Sequence, residues 1–328
     1  MAGFARISGF PALPPPLRGG VVAIGNFDGV HRGHQAVLSR ALDISAERKS
    51  PSLVLTFEPH PRRVFRPDVP LFRLTPAPMK ARLLAALGFD AVVEQPFTRD
   101  FSQLSPERFV TDVLAGGLGA SHVVTGFDFQ YGKDRGGTPD TLRADGRAHR
   151  FGVTVVEAFT DEGGEVISSS RIRALLAEGD VAEAAGLLGY RYTVEAEVTG
   201  GKRLGRTLGF PTANMALPEE TALRHGVYAA RFRRADGTLH DGVANFGRRP
   251  TVEEGGSVLL ETFLFDFDGD LYGETCAVSF FGYLRGEEKF DGLDALVAQM
   301  KRDEAEARAL LSGVRPLSPL DLSIAFSG

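Results

Sequence analysis

Near the start of the chain, the stretch Gly25-Asn26-Phe27-Asp28-Gly29-Val30-His31-Arg32-Gly33-His34 sets two imidazoles on either side of a glycine in a His-x-Gly-His pattern. It follows the apolar run VVAIG (21–25) and precedes a helical stretch from about Gly33 to Lys49. At such a helix start, unpaired N–H groups and the positive dipole end favour phosphate. Gly33 lets backbone approach closely, and two imidazoles can donate to phosphoryl oxygens. The chemistry this equips is nucleoside triphosphate binding. A single histidine there is more often a cap or a satisfied surface residue, and it is the pair that favours phosphate. Ser168-Ser169-Ser170 before Arg171 reads as an N-cap for the helix that follows, a role that leaves room for a second one. The His60, Arg62 and Arg63 cluster in EPHPRR is a weaker candidate, because a Pro-flanked polar turn normally stays solvated.

A second constellation is Gly200-Gly201-Lys202-Arg203-Leu204-Gly205-Arg206-Thr207-Leu208-Gly209-Phe210-Pro211-Thr212-Ala213-Asn214. Exposed N–H groups in a glycine-dense loop, with a Thr/Asn oxygen pair behind them, can hold a nucleotide and its magnesium ion. Such loops also simply join strands in many barrels. No G-x-x-x-x-G-K-[ST] occurs in the chain, which excludes a P-loop kinase. Glu261 lies in VLLETFLF, an otherwise apolar strand, where a carboxylate is costly unless paired.

The elements that must position these residues fall into two regimes. SLVLTF (52–57), DAVVE (90–94), SHVVTG (121–126) and VTVVE (153–157) join VVAIG as five apolar runs. Helical stretches near Pro78–Leu87, Pro106–Leu114 and Asp140–His149 separate them, and Ser169–Leu188 is helical again. That rhythm predicts an α/β doubly wound domain with a parallel sheet, its ligand crevice outside the carboxyl ends of the strands. From about Tyr190 the period becomes two: YTVEAEV (192–198), VYAARFRR (227–234) and CAVSFF (276–281) read as strands, and only Leu293–Leu311 keeps helical spacing. A small antiparallel β-barrel with a C-terminal helix is expected, with domains 1–187 and 188–328.

Composition excludes several classes. With 328 residues and 43% hydrophobic content the chain can bury two cores. Its net charge of −5 lacks the basic face that phosphate neutralisation requires, so nucleic acid is not an expected partner. No apolar run reaches the roughly 18 residues of a membrane helix, so no membrane partner is expected. One cysteine, Cys276, cannot form an internal disulfide, which points to the reducing cytoplasm. At most weak homo-oligomerisation is expected.

GNFDGVHRGHQAVL resembles the signature of bacterial bifunctional riboflavin kinase/FMN adenylyltransferases. LTFEPHPRRVF (55–65), GFDFQYGKDRGGT (126–138) and ISSSRIRALLAEGDVAEAAGLLG (167–189) follow in that family's order. GVYAA (226–230), GVANFGRRPTV (242–252), LETFLFDFDGDLYGE (260–274) and the stretch from Tyr283 extend the similarity over nearly the whole chain. The resemblance implies that riboflavin is phosphorylated to FMN in the barrel and FMN adenylylated to FAD in the α/β domain, both with Mg-ATP. His31 and His34 would polarise ATP phosphates. Gly25, Phe27, Asp28, Gly33, Asp128, Ser168, Ser169, Ser170 and Arg171 would surround that nucleotide. Gly205, Thr212 and Asn214 would bind the second ATP, the last two holding its Mg2+, with Glu261 as general base. Arg285 and Phe290 would close over the flavin. Ser170 and Phe263 depart from the family's usual threonine and histidine.

Two rivals stand beside this reading. One is a lone adenylyltransferase for pantetheine phosphate or nicotinate mononucleotide, which would lack the PTAN barrel. The other is a barrel that serves as a flavin-binding sensor or dimerisation module without kinase activity.

Overall fold

The apolar runs that alternate with helices in the first half become one six-stranded sheet. In the computed structural model, which describes residues 3–200, 210–248 and 258–327, contacts divide the chain into two units, Met1–Ser169 and Ser170–Gly328.

The first unit holds β1 (Ala5–Ser8), β2 (Val21–Ile24), β3 (Ser52–Glu58), β4 (Ala91–Pro96), β5 (His122–Gly126) and β6 (Gly152–Val156), with α1 (Arg32–Arg48), α2 (Ala77–Leu87) and α3 (Pro139–His149) between them. Strand order is β1-β4-β3-β2-β5-β6, and all pairings are parallel. β2 is buried along its whole length, as expected of a sheet covered on both faces. The chain runs outward from β2 through β3 and β4, then returns to β2's other flank for β5 and β6. The order therefore reverses between β2 and β5, and a crevice opens at their carboxyl ends.

The expected strands all form. β1 is an addition: four residues pairing with Ala91–Glu94 at the sheet edge. The expected helix from Pro106 continues through Phe109–Gly117, which winds as a π-helix.

In the second unit, α4 (Ser169–Glu178) and α5 (Val181–Leu188) replace one continuous helical stretch. Gly179, at φ 86°, breaks it, and Asp180 caps α5 through the Glu183 N–H at 2.9 Å. Six antiparallel strands follow: β7 (Thr193–Thr199), β8 (Thr212–Leu217), β9 (Gly226–Arg233), β10 (Leu239–Arg248), β11 (Val258–Leu264) and β12 (Thr275–Arg285). They close into a barrel in the order β10-β11-β8-β7-β12-β9. α6 (Leu293–Gly313) buries Ala307 and Leu311 against Ala229, Phe265 and Phe281. Asp321 is fully buried and accepts from the backbone N–H of Arg191 at 2.7 Å and of Leu317 at 2.9 Å. It also pairs with the Arg191 guanidinium, so the segment leading into β7 is fastened to the short turn Pro319–Asp321.

Candidate functional site

At the carboxyl ends of the parallel strands lies a cavity of about 1180 Å³, walled by the loops after β2, β3, β4, β5 and β6. A volume above the usual 300–1,000 Å³ of a single-ligand pocket suits two ligands side by side. His31 and His34 stand in its wall at the start of α1, their rings stacked 3.6 Å apart and 18° from parallel. His31 is buried and caps α1, its Nδ1 accepting the His34 backbone N–H at 3.3 Å. That bond leaves Nε2 to carry the proton of the neutral ring. The His34 Nδ1 is fully buried and finds no hydrogen-bond partner among the described residues. Burial first, then the neighbouring His31 and the Lys80 charge, push His34 well below its ordinary pKa.

The glycines of the loop serve close approach. A Cβ on Gly33 would lie 3.2 Å from the His31 Nδ1 and 3.5 Å from the Ile167 carbonyl. On Gly25 it would meet the Phe27 ring at 2.9 Å. Phe27 folds back over that space and meets His34 edge-on at 5.4 Å and 86°. Phe27 and Val30 adopt left-handed φ of 46° and 40°, strain that only over-determined surroundings hold.

Below the loop lies a network that sequence reasoning missed. Lys80 is 1% exposed, and its Nζ donates to the Asn26 carbonyl (2.9 Å), the Thr56 hydroxyl (3.0 Å) and Glu58 (3.2 Å). Arg73 donates to both oxygens of Glu58, at 2.8 and 3.1 Å, and lies 3.5 Å from Asp28. Burial alone would raise the Glu58 carboxyl, but the Arg73 and Lys80 contacts outweigh it and hold it below the usual range. Burial, then the Arg73 charge, lower Lys80.

Asp28 accepts from the backbone N–H groups of Thr75 (3.0 Å) and Leu74 (3.3 Å), while Gly29 N–H donates to the Thr75 hydroxyl (2.8 Å). Its carboxylate is thus buried and turned toward Leu74 and Thr75, and Asp28 is not part of the cavity wall. Gly25, Phe27, Gly33, Asp128, Ser168 and Ser169 do line the cavity. The Ser169 hydroxyl donates to the Asp28 carbonyl at 2.8 Å. Ser170 and Arg171 open the second unit, where Arg171 approaches Glu183 at 4.0 Å. His60 caps the short helix Pro61–Phe65 through the Arg62 N–H, and both side chains line the cavity. The polar turn after SLVLTF was the signal for them. Phe65 and Phe127, 59% and 47% exposed, add apolar surface to the same wall. Apolar rings, arginines and imidazoles in one chamber suit a planar heteroaromatic ligand carrying phosphate.

In the barrel, cross-strand register puts Glu261 opposite Asn214 on one side and Asn245 on the other, and Phe263 opposite Thr212. Directly opposed residues share a sheet face, so Thr212, Asn214, Glu261 and Asn245 form one polar patch. Asn245 was visible in the GVANFG motif but not singled out. The Asn214 amide donates to the Thr212 carbonyl at 3.2 Å, which fixes which end of the amide presents its oxygen. Among the described residues no group of three or more His, Cys, Asp or Glu is poised for a metal. A magnesium ion needs only one or two protein oxygens beside its phosphates and waters, and the Thr212–Asn214–Glu261 patch fits that mode. Phe263 packs against Phe210 at 4.9 Å and Phe265 at 5.8 Å, which accounts for an apolar ring at this position. Arg285 is bidentate to Asp303 at 2.9 and 2.7 Å, with its guanidinium 5.7 Å from the Phe290 ring. Its charge thereby ties β12 to α6. Gly205 lies outside the described residues.

Residues 14–171 match the family model described as FAD synthetase, and residues 188–311 match that of riboflavin kinase. The chain is 41% identical to the bifunctional riboflavin kinase/FMN adenylyltransferase of Listeria monocytogenes, covering 89% of this chain and 92% of that one. It is 39% identical to the protein of the same name from Escherichia coli K12, covering 92% and 96%. A crystal structure from Streptococcus pneumoniae, titled a macrolide-efflux protein, superposes with a TM-score of 0.82 at 31% identity, over 93% of this chain and 98% of that one. No helix among the described residues is long and apolar enough to cross a membrane.

Proposed function

This chain belongs to the bifunctional riboflavin kinase/FMN adenylyltransferase family, and from that premise we propose how its residues divide two reactions between residues 1–187 and 188–328. The protein is a transferase of flavin cofactor biosynthesis, converting riboflavin to FMN and FMN to FAD with ATP. In our assignment the first domain adenylylates FMN. A phosphate oxygen of FMN attacks the α-phosphorus of ATP, the bond from that phosphorus to the bridging oxygen breaks, and pyrophosphate leaves. No enzyme nucleophile is required. His31 and His34 donate to the phosphoryl oxygens, the start of α1 adds its dipole, and Ser168 and Asp128 face the same chamber. Catalysis is alignment plus stabilisation of developing charge. Asp28 serves by holding the loop, and Ser170 and Arg171 stay assigned to the phosphates on the resemblance alone.

In the barrel, the ribityl 5′-hydroxyl attacks the γ-phosphorus of ATP, Glu261 accepts the hydroxyl proton and ADP leaves. Thr212 and Asn214 are the residues that would hold a magnesium ion, which when bound neutralises charge on the transferring phosphate. Phe290 and the Arg285–Asp303 pair border the flavin. We place the enzyme in the cytoplasm, where ATP and riboflavin meet.

The observation that carries the first-domain assignment is the stacked His31/His34 pair in the cavity wall where strand order reverses. The test is His34→Ala. Loss of one preorganised donor should lower FAD formation about 10²–10³-fold and leave FMN to accumulate from riboflavin. Undiminished FAD synthesis removes His34 from the reaction.

A further inference from the structure

Lys80 is a buried cation with no place in the chemistry above. Sitting on α2, it is 1% exposed, and its three ammonium hydrogens are matched by three acceptors: the Asn26 carbonyl, the Thr56 hydroxyl and a Glu58 oxygen. The Thr56 hydroxyl in turn donates to the same Asn26 carbonyl at 3.2 Å. Glu58 binds Arg73, Arg73 reaches Asp28, and Asp28 grips Leu74 and Thr75. The loop is thereby held at Asn26 and again at Asp28, on either side of Phe27. Phe27 is the residue with φ 46° whose ring meets His34 edge-on. A bulky residue in that region is strained and persists only where neighbours enforce it.

We propose that Lys80 is a positioning residue for adenylyl transfer: by gripping the Asn26 carbonyl it enforces the Phe27 turn that sets His34 in the cavity wall. The proposal rests on the reading that His34 works on the phosphates. It assigns to a residue whose three bonds all go to protein groups the task of keeping the phosphate loop assembled before ligands arrive. Lys80 and Arg73 balance Glu58 and Asp28, so the grip adds no net charge beneath a site that must accept polyphosphate.

Four full-length variants test it: Lys80→Met, Thr56→Val, His34→Ala, and Leu83→Ala as a packing control on the same helix, where Leu83 is fully buried but outside the network. Adenylylation of FMN and phosphorylation of riboflavin are followed well below each variant's unfolding midpoint. Misplacing a reacting group by about 1 Å costs on the order of 10²-fold, so Lys80→Met should lower kcat for FAD formation by about that factor, with a much smaller change in KM for FMN. Its riboflavin phosphorylation should match the parent. Leu83→Ala should melt earlier yet keep its kcat, and Thr56→Val should fall between Lys80→Met and the parent.

A parental kcat in Lys80→Met, with His34→Ala inactive, overturns the proposal and spares the site. Full activity in His34→Ala overturns the site reading itself. Equal kcat losses in Lys80→Met and Leu83→Ala reduce Lys80 to packing and also overturn the proposal. If Lys80→Met yields no folded first unit, Thr56→Val decides: a parental kcat there overturns the proposal, and a loss with Leu83→Ala unaffected supports it.

Discussion

Asp28→Asn separates two roles for a carboxylate that sits inside the phosphate loop. Its Oδ1 accepts the Thr75 N–H at 3.0 Å, its Oδ2 accepts the Leu74 N–H at 3.3 Å, and Arg73 lies 3.5 Å away. Both oxygens therefore face donors. Whichever way an asparagine amide turns, its NH2 opposes one of those N–H groups, which is then buried without an acceptor at a cost of about 1–3 kcal/mol. Arg73 also loses one of its two carboxylates, although Glu58 remains within 2.8 Å. With about 1 kcal/mol for the lost Arg73 contact, the sum is about 2–4 kcal/mol, taken from the first unit. For a unit of this size each kcal/mol moves the midpoint by about 2–4 °C, so the first transition should fall by roughly 5–15 °C. Calorimetry on the full chain measures it. Hydrogen exchange read by mass spectrometry over Leu74–Thr75 localises it. A midpoint within experimental scatter of the parent, with FAD synthesis abolished, would refute the loop-holding account and return Asp28 to the phosphates.

Two further expectations concern the barrel and acid pH. Glu261→Gln should lower riboflavin phosphorylation about 10²–10⁴-fold, the usual share of a general base, while the same protein fed FMN makes FAD at close to the parental rate; retained phosphorylation by the folded variant excludes Glu261 as the base. His34 resists protonation in the folded state, so the first unit should lose stability as pH falls below about 6.5, the ordinary histidine value, because the unfolded chain then binds the proton more readily. A second loss follows as pH falls through and below about 4.5, where Glu58 exchanges its Arg73 and Lys80 contacts for a proton. Thermal midpoints across this range check both windows, and His34→Gln should shrink the upper one, leaving the part that buried His122 contributes, without moving the lower.

The parallel sheet was legible because its strands are continuous apolar runs, and two faces of helix leave no other way to bury Val21–Ile24. β1 escaped because Ala5–Ser8 is four residues long, and its pairing to Ala91–Glu94 is a long-range event with no local mark. β10 was equally silent. LHDGVANFGR carries His, Asp, Asn and two glycines, and it is extended because ladders to β9 and β11 hold it so. The His-x-Gly-His pair was readable because the chemistry sits on a helix start. Lys80 was not, since a lysine in an amphipathic helix ordinarily reaches water; only the placement of α2 against β3 turns it inward. The patch of Thr212, Asn214, Glu261 and Asn245 likewise exists only through register.

The clasp between Arg191 and Asp321 bears on how the protein is made. β7 hydrogen-bonds to β8 and β12, so its second edge stays open until Thr275–Ser279 has been synthesised, and the clasp waits for Asp321. The clasped residues are 130 positions apart, which at about 5–20 residues per second is roughly 7–25 s of translation. Every strand of the first unit precedes residue 157. A ribosome paused within the barrel therefore carries every strand of the first unit and an open second sheet. On our assignment of the two reactions, the chain of the second-step enzyme is complete before that of the first.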